Sequence, residues 1–222
     1  MPPAAAEDYA TARRMMVDCQ LRTYDITDRA VLAAFDAAPR ERFLAPDCAP
    51  FAYADRDLPA CSAPARMTLA PMPLARMIQA LRVPIGGKVL DVAGGAGYGA
   101  ALLAALGAQV TALEAQWPAE AAAALRQAAP GSVAMVTGAL DAGHAANAPY
   151  DGVLVHGALE REPLVLISQL REGGRLICGW QQDEICQIVC FERFGGSFKR
   201  LPLLDAKLPL LREFAAEAAF VF

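Results

Sequence analysis

Lys88-Val89-Leu90-Asp91-Val92-Ala93-Gly94-Gly95-Ala96-Gly97-Tyr98 is the stretch on which the fold turns. An apolar run with a single acid, Asp91, breaks into a glycine-dense bend, and an alanine- and leucine-rich segment follows. A second apolar run, Gln109 to Leu113, ends on Glu114, nineteen residues after Gly95. Strand, turn, helix, strand and terminal acid, in that order, is how an open parallel sheet holds a nucleoside. Glycines at 94, 95 and 97 let the backbone approach a ligand without a Cβ in the way, and the next helix aims its amino terminus at the bend. A carboxylate at 114 only accepts hydrogen bonds, which suits a ribose diol that brings two donors. Tyr98 and an early Gly99 break the full G-x-G-x-x-G spacing, so a single nucleoside fits better than a pyrophosphate. The plainer alternative is that these glycines only turn the chain tightly.

Beyond this stretch the pattern alternates. It predicts strands at 88–92, 109–113, 133–136, 151–155 and 174–179, with helices at 98–106, 118–129 and 161–170 between them. Such alternation implies an α/β fold, a doubly wound, mostly parallel sheet with helices on both faces. Ile185 to Phe191 and roughly Phe214 to Phe222 read as a final antiparallel pair, separated by a loop containing Gly195-Gly196. Residues 9–45 read as helical, with capping residues in Asp25-Ile26-Thr27-Asp28 and a stop at Pro39. A proline-rich loop spans 45–73, and a helix follows from Leu74 to Leu81. The chain divides into an N-terminal helical extension with a substrate-side loop, 1–84, and a cofactor-binding core, 85–222.

Composition narrows the partners. With 222 residues and 55% apolar side chains a deep core is expected. A net charge of −4 argues against a surface built to neutralise nucleic acid. No run of apolar residues is long enough to span a membrane. Met1 to Met16 carries Glu7, Asp8, Arg13 and Arg14 and does not read as an export signal, so a cytoplasmic protein is expected. The six cysteines form no Cys-x-x-Cys pair, and His144 and His156 lack metal-ligand spacing, so reduced, buried thiols and no metal site are expected. His156 follows the strand 151–155 at the ligand edge and reads as a polar pocket-lining residue; His144 reads as solvated. Arg66 and Arg76 read as salt-bridged or surface groups, and Trp117 as a candidate for stacking on adenine.

The chain resembles the protein-L-isoaspartate O-methyltransferases, a family of class I S-adenosylmethionine-dependent methyltransferases. The likeness covers Met16-Val17 with Gln20-Leu21, Pro39-Arg40-Glu41-x-Phe43, Ala52-Tyr53 with Asp55 and Leu58-Pro59, and Pro71 with Ala75-Arg76-Met77. It continues through Val89-Leu90-Asp91, Gly97-Tyr98, Ala148-Pro149-Tyr150-Asp151 and Gln169-Leu170-x-x-Gly173-Gly174-Arg175-Leu176. The resemblance implies a seven-stranded sheet with its last strand antiparallel. It implies S-adenosyl-L-methionine as cofactor and a protein or peptide with an isomerised aspartate as substrate. The isoaspartyl carboxylate would be methylated in repair of damaged proteins. Asp91, Ala93, Gly94, Gly95 and Gly97 would then surround the methionine end of the cofactor, and Glu114 its ribose. Three positions depart from the family. Its active-site serine falls on Leu69, or on Ala70 with a one-residue shift, leaving Thr68 as the hydroxyl in reach and the catalytic candidate. Ala93 replaces the first glycine of the turn, an exchange that fits a negative φ. Ala139 and Leu140 occupy the adenine-facing Gly-Asp-Gly, with Asp141 two places later. A same-fold methyltransferase with a changed acceptor, or a non-catalytic binding relative, are the alternatives.

Overall fold

The computed structural model describes residues 6–61 and 66–216. A seven-stranded sheet forms its centre, built from β3 (Lys88–Val92), β4 (Gln109–Glu114), β5 (Val133–Thr137), β6 (Tyr150–Leu159), β7 (Leu170–Gln182), β8 (Ile185–Phe194) and β9 (Ser197–Asp205), in the order β5-β4-β3-β6-β7-β8-β9. Strands β5, β4, β3, β6 and β7 run parallel, and β8 and β9 each pair antiparallel with the preceding strand. Val89 to Val92 and Val110 to Glu114 are buried throughout, as expected of central parallel strands covered on both faces. β3 has β4 on one side and β6 on the other. The order reverses there, and the crevice outside its carboxyl end is where open sheets bind ligands.

Helices α3 (Pro71–Leu81), α4 (Tyr98–Ala105), α5 (Ala119–Ala128) and the short α6 (Leu164–Ser168) complete the core. Before them come α1 (Ala6–Met16), α2 (Arg29–Ala37) and a two-stranded ladder, β1 (Leu58–Pro59) with β2 (Met67–Thr68). The predicted continuous helix over 9–45 is interrupted: a π turn and a 3₁₀ turn follow α1, and Asp25 takes a left-handed conformation. Asp28 then restarts the helix by accepting hydrogen bonds from the amides of Ala30 (2.8 Å) and Val31.

The family-like Pro-Arg-Glu-x-Phe segment ties this extension together and docks it on α4. Arg40 is fully buried and donates to the carbonyls of Ala52, Arg56 (3.1 Å), Thr68 (3.3 Å) and Leu69 (2.9 Å). One planar cation thus ties the 52–56 loop to β2. Phe43 and Phe35 pack on Tyr98, with ring centroids 5.5 and 6.1 Å away. The residue closing the glycine turn is therefore also the knob onto which the extension docks.

Two expectations at the C-terminal end are corrected. The seventh strand is Ser197–Asp205, whereas Phe214 lies in a 3₁₀ turn and residues 217–222 are outside the described ones. Gly195 and Gly196, with φ of 57° and 80°, form a two-residue hairpin between β8 and β9. The helix expected over 161–170 is only Leu164–Ser168, because Pro163 delays its start and Leu170 already pairs with Tyr150.

Candidate functional site

The glycine turn between β3 and α4 lies at the switch point, and its geometry is set from three sides. Gly95 and Gly97 have φ of 66° and 88°, which only glycine adopts without strain. Ala93 also has a positive φ, 61°. The expected negative value is overturned. Ala93 N–H donates to the Leu113 carbonyl at 3.1 Å, continuing the ladder while the chain bends, and that bond holds alanine in a left-handed conformation that disfavours it.

Glu114, at the carboxyl end of β4, is 3% exposed and reaches back to the turn: Gly95 N–H donates to its Oε1 at 2.5 Å. Its Oε2 faces Arg66 Nε at 3.4 Å, and the other end of Arg66 donates to Glu213 Oε1 at 2.6 Å. Burial raises the Glu114 pKa, opposed by the Gly95 amide and the Arg66 charge. Arg66 was read as a salt-bridged residue, and it is one, but on the acid assigned to the ribose. The end of the β1–β2 ladder lies on the turn: a Cβ on Gly95 would come 3.0 Å from the Ala60 Cβ and 3.4 Å from the Arg66 Cβ. The segment before Phe214 crosses the same edge, with Ala158 and Pro209 joined at 2.8 Å, and Leu211 and Ala158 at 3.0 Å. Arg66 therefore links two covering segments.

Asp91, on β3, has a different partner. Its Oδ1 lies 2.6 Å from Nε2 of His156, and both residues are buried. Burial alone would lower the His156 pKa, but the Asp91 carboxylate, by charge and hydrogen bond, and then Glu114 leave it raised. His156 is thus tied to a buried carboxylate. Gly94 and Gly99 make room for the pair. A Cβ on Gly94 would meet Asp91 Oδ2 at 2.6 Å, and one on Gly99 would run into the imidazole.

The remaining predicted residues separate. Thr68 is 3% exposed, and its Oγ1 has no hydrogen-bond partner among the described residues. Leu69 is fully buried in the core and Ala70 nearly so. Leu140 is buried against the cluster containing Ala93 and Leu113, while Ala139 is exposed. Asp141 is engaged by Arg161 at 2.8 Å on the surface. The Trp117 indole donates to the Val136 carbonyl at 2.9 Å, which ties it to β5. Arg76 pairs with Asp25 as a surface group, and His144 is partly buried. A separate 660 Å³ groove lined by Lys88, Gln109, Thr111 and Ser132 lies at the amino ends of β3 and β4, away from the turn. Among the described residues no helix is long and apolar enough to cross a membrane, and no group of three metal-ligating side chains occurs.

Sequence reasoning missed the His156–Asp91 pair and the role of Arg66 at Glu114. Gly99, one place early in the motif, was the available signal for the first. The second joins residues 48 and 147 positions apart and left no local pattern.

Comparison with known proteins accords with this arrangement. The family model described as protein-L-isoaspartate(D-aspartate) O-methyltransferase matches residues 12–202. A protein-L-isoaspartate O-methyltransferase of Koribacter versatilis is 37% identical over 207 residues, covering 91% of this chain and 92% of that protein. One of Methylorubrum extorquens is 41% identical over 171 residues, 77% of this chain and 74% of the relative. The crystal structure of a protein-L-isoaspartate O-methyltransferase from Plasmodium falciparum, in complex with S-adenosyl-L-homocysteine, shares the fold with a TM-score of 0.77 at 16% identity, over 90% of this chain and 98% of that one. The protein described here, with its buried acid at the end of β4 and its glycine turn at the switch point, belongs to the protein-L-isoaspartate(D-aspartate) O-methyltransferase family.

Proposed function

We propose that the protein is an S-adenosylmethionine-dependent carboxyl methyltransferase that esterifies the isoaspartyl carboxylate of damaged proteins or peptides. The observation that carries this reading is the Glu114–Gly95 contact: a buried, acceptor-only carboxylate 2.5 Å from the amide of the glycine turn, inside a chain of this family. The residues fit the cofactor in kind. Glu114 would accept the two ribose hydroxyls, with Arg66 turned toward Glu213. Gly94, Gly95, Gly97 and Ala93 would pass beneath the sulfur-bearing chain. Asp91 would meet its ammonium group. Leu140 supplies an apolar wall and Ala139 an exposed backbone for the adenine.

Bound S-adenosylmethionine supplies a methyl group on a positive sulfonium, so the electrophile comes with the ligand. The acceptor carboxylate is ionised at neutral pH and needs no base. The chain's part is alignment and exclusion of water. We assign Thr68 to the acceptor side as the hydroxyl that would donate to the substrate carboxylate. Its buried, unused Oγ1 supports that role, since a hydroxyl left unpaired in a core is costly without a purpose. The division at 84/85, with the extension on the acceptor side, belongs to the same proposal. So does action in the cytoplasm, which the absence of any Cys-x-x-Cys pair supports.

The test is incubation with methyl-labelled cofactor and an isoaspartyl peptide. Base-labile methyl ester is expected on that peptide and not on its aspartyl counterpart; no ester above background removes the assignment. The buried Leu69 at the family's serine position favours one second reading, a changed acceptor. Labelling of another protein fraction with the isoaspartyl peptide ignored would select it.

A further inference from the structure

The Asp91 carboxylate presents two oxygens to two different neighbours. Oδ1 is held by His156 Nε2 at 2.6 Å, while Oδ2 faces the turn, 2.6 Å from where a Gly94 Cβ would be. Gly99 lacks the Cβ that would strike the imidazole, which accounts for the glycine left over from the nucleotide motif. The pair is therefore built into the turn by two glycines. The groups that act on His156 come from several elements. Asp91 faces it from β3 and Glu114 adds its charge from β4. From α4 it meets the Gly99 backbone, and from the hairpin over the turn Arg66 is committed to Glu114 and Glu213.

We propose that His156 is a positioning residue for ligand binding, which holds Asp91 with Oδ2 aimed at the glycine turn and gives up its proton when a cationic group of the ligand reaches that oxygen. This rests on the reading above, in which the cation is the α-ammonium of S-adenosylmethionine or its demethylated product. With His156 protonated the buried pair is neutral. An arriving ammonium would place two cations on one carboxylate away from water, where charge repulsion is weakly screened. The imidazolium is the cation that can relieve this. Nε2–H continues to donate to Oδ1, and the proton on Nδ1 leaves to water. A ligand with the same nucleoside and sulfur but no ammonium leaves the pair as it is. His156 thereby favours ligands that carry the amino-acid portion, and binding becomes linked to pH.

The experiment is calorimetry of the full chain with S-adenosylhomocysteine and with 5′-methylthioadenosine, which lacks the amino-acid portion. Buffers of differing ionisation enthalpy are used between pH 5.5 and 7.5. S-adenosylhomocysteine is expected to release up to about one proton, so that Kd tightens by as much as about tenfold per pH unit. 5′-Methylthioadenosine is expected to release none. His156→Gln, which keeps a donor for Oδ1, should bind S-adenosylhomocysteine without the release. Binding of S-adenosylhomocysteine without proton release, equal release with both ligands, or release that persists in the variant overturns the proposal. The native-chain comparison of two ligands stands even where the variant fails to fold. Ester formation on an isoaspartyl peptide without linked protons sinks this inference alone; linked protons without ester sink only the assigned activity.

Discussion

Two carboxylates, Asp91 and Glu114, stand at the carboxyl edge of adjacent strands, and each meets a basic side chain of the chain itself. They differ in which one. Asp91 meets a histidine from the neighbouring strand, with both groups buried inside the sheet. Glu114 meets an arginine from a hairpin laid over the edge, 14% exposed and shared with a third segment. A histidine can lose its proton near neutrality and an arginine cannot. The Asp91 end can therefore respond to pH through its partner, and the Glu114 end cannot. A site whose acids are internally satisfied must exchange one set of partners for another when ligand binds.

The largest effect should come from breaking the inner pair. His156→Ala leaves a carboxylate buried without a cation, a change that costs about 3–5 kcal/mol. Asp91→Asn with His156→Gln removes both charges and should recover most of it; urea unfolding of the two variants and the parent measures this. Equal losses in the single and double variants would mean that packing, not charge, holds this end. The pH dependence has a definite sign. Because the folded His156 value lies above the ordinary one, its contribution is fully present below pH ~6.5 and fades as pH rises through the raised value. Melting temperature should fall across that window in the parent and not in the double variant.

Glu114→Gln tests the outer end. It should weaken S-adenosylhomocysteine by about 1.5–3 kcal/mol, the worth of hydrogen bonds to a charged acceptor. Folding stability should change little or rise, because burial already disfavours the ionised form of this acid. Calorimetry beside denaturant melts separates the two readouts. Unchanged affinity would remove Glu114 from the ligand and leave it a structural anchor for Gly95.

The contrast between the two ends also shows what a sequence can disclose. β3 and β4 were legible almost to the residue, since buried parallel strands are mostly apolar runs, here ended by the glycine turn after β3 and by Glu114 in β4. β9 was not. It is an edge strand, exposed along most of its length, with Pro202 beside the register shift opposite Ile188 and Val189. Such a strand needs no apolar period, and its proline reads as loop. The acids of the site were legible because their place at strand ends is local. Their cations were not, for His156 lies 65 positions from Asp91 and Arg66 lies 48 from Glu114. Only the folded sheet and its cover bring those charges together.

A smaller effect should follow from freeing the outer acid. Arg66→Met keeps much of the apolar stem that rests on Gly95 and removes the competing donor. S-adenosylhomocysteine should bind about fivefold more tightly, near 1 kcal/mol, as expected for a partly exposed pair. Parent affinity should rise with added salt, and that of the variant should not. Weaker binding in the variant would make Arg66 a ligand contact instead of a competitor. Between the two ends, Ala93→Gly relieves a left-handed alanine and should stabilise the fold by about 1 kcal/mol. A loss of stability would show that the ladder bond to Leu113 suits alanine better.

The strand pair that covers the Glu114 end also carries Thr68, the hydroxyl proposed above for the acceptor. Thr68 sits in β2, two residues beyond Arg66, buried and with no partner for its Oγ1 among the described residues. Thr68→Val keeps the branched shape and removes the hydroxyl. If Oγ1 is only a buried cost, the variant gains up to about 1 kcal/mol of stability and its methylation rate is unchanged. If Oγ1 donates to the acceptor carboxylate, the same gain comes with a fall in kcat/KM of about tenfold, while S-adenosylhomocysteine affinity stays put. That combination is the expected one under the proposal above, in which the hydroxyl serves the acceptor while Asp91 and Glu114 serve the cofactor. A fall in cofactor affinity instead would move Thr68 to the ligand side of the edge, and the hairpin would then serve the nucleoside alone.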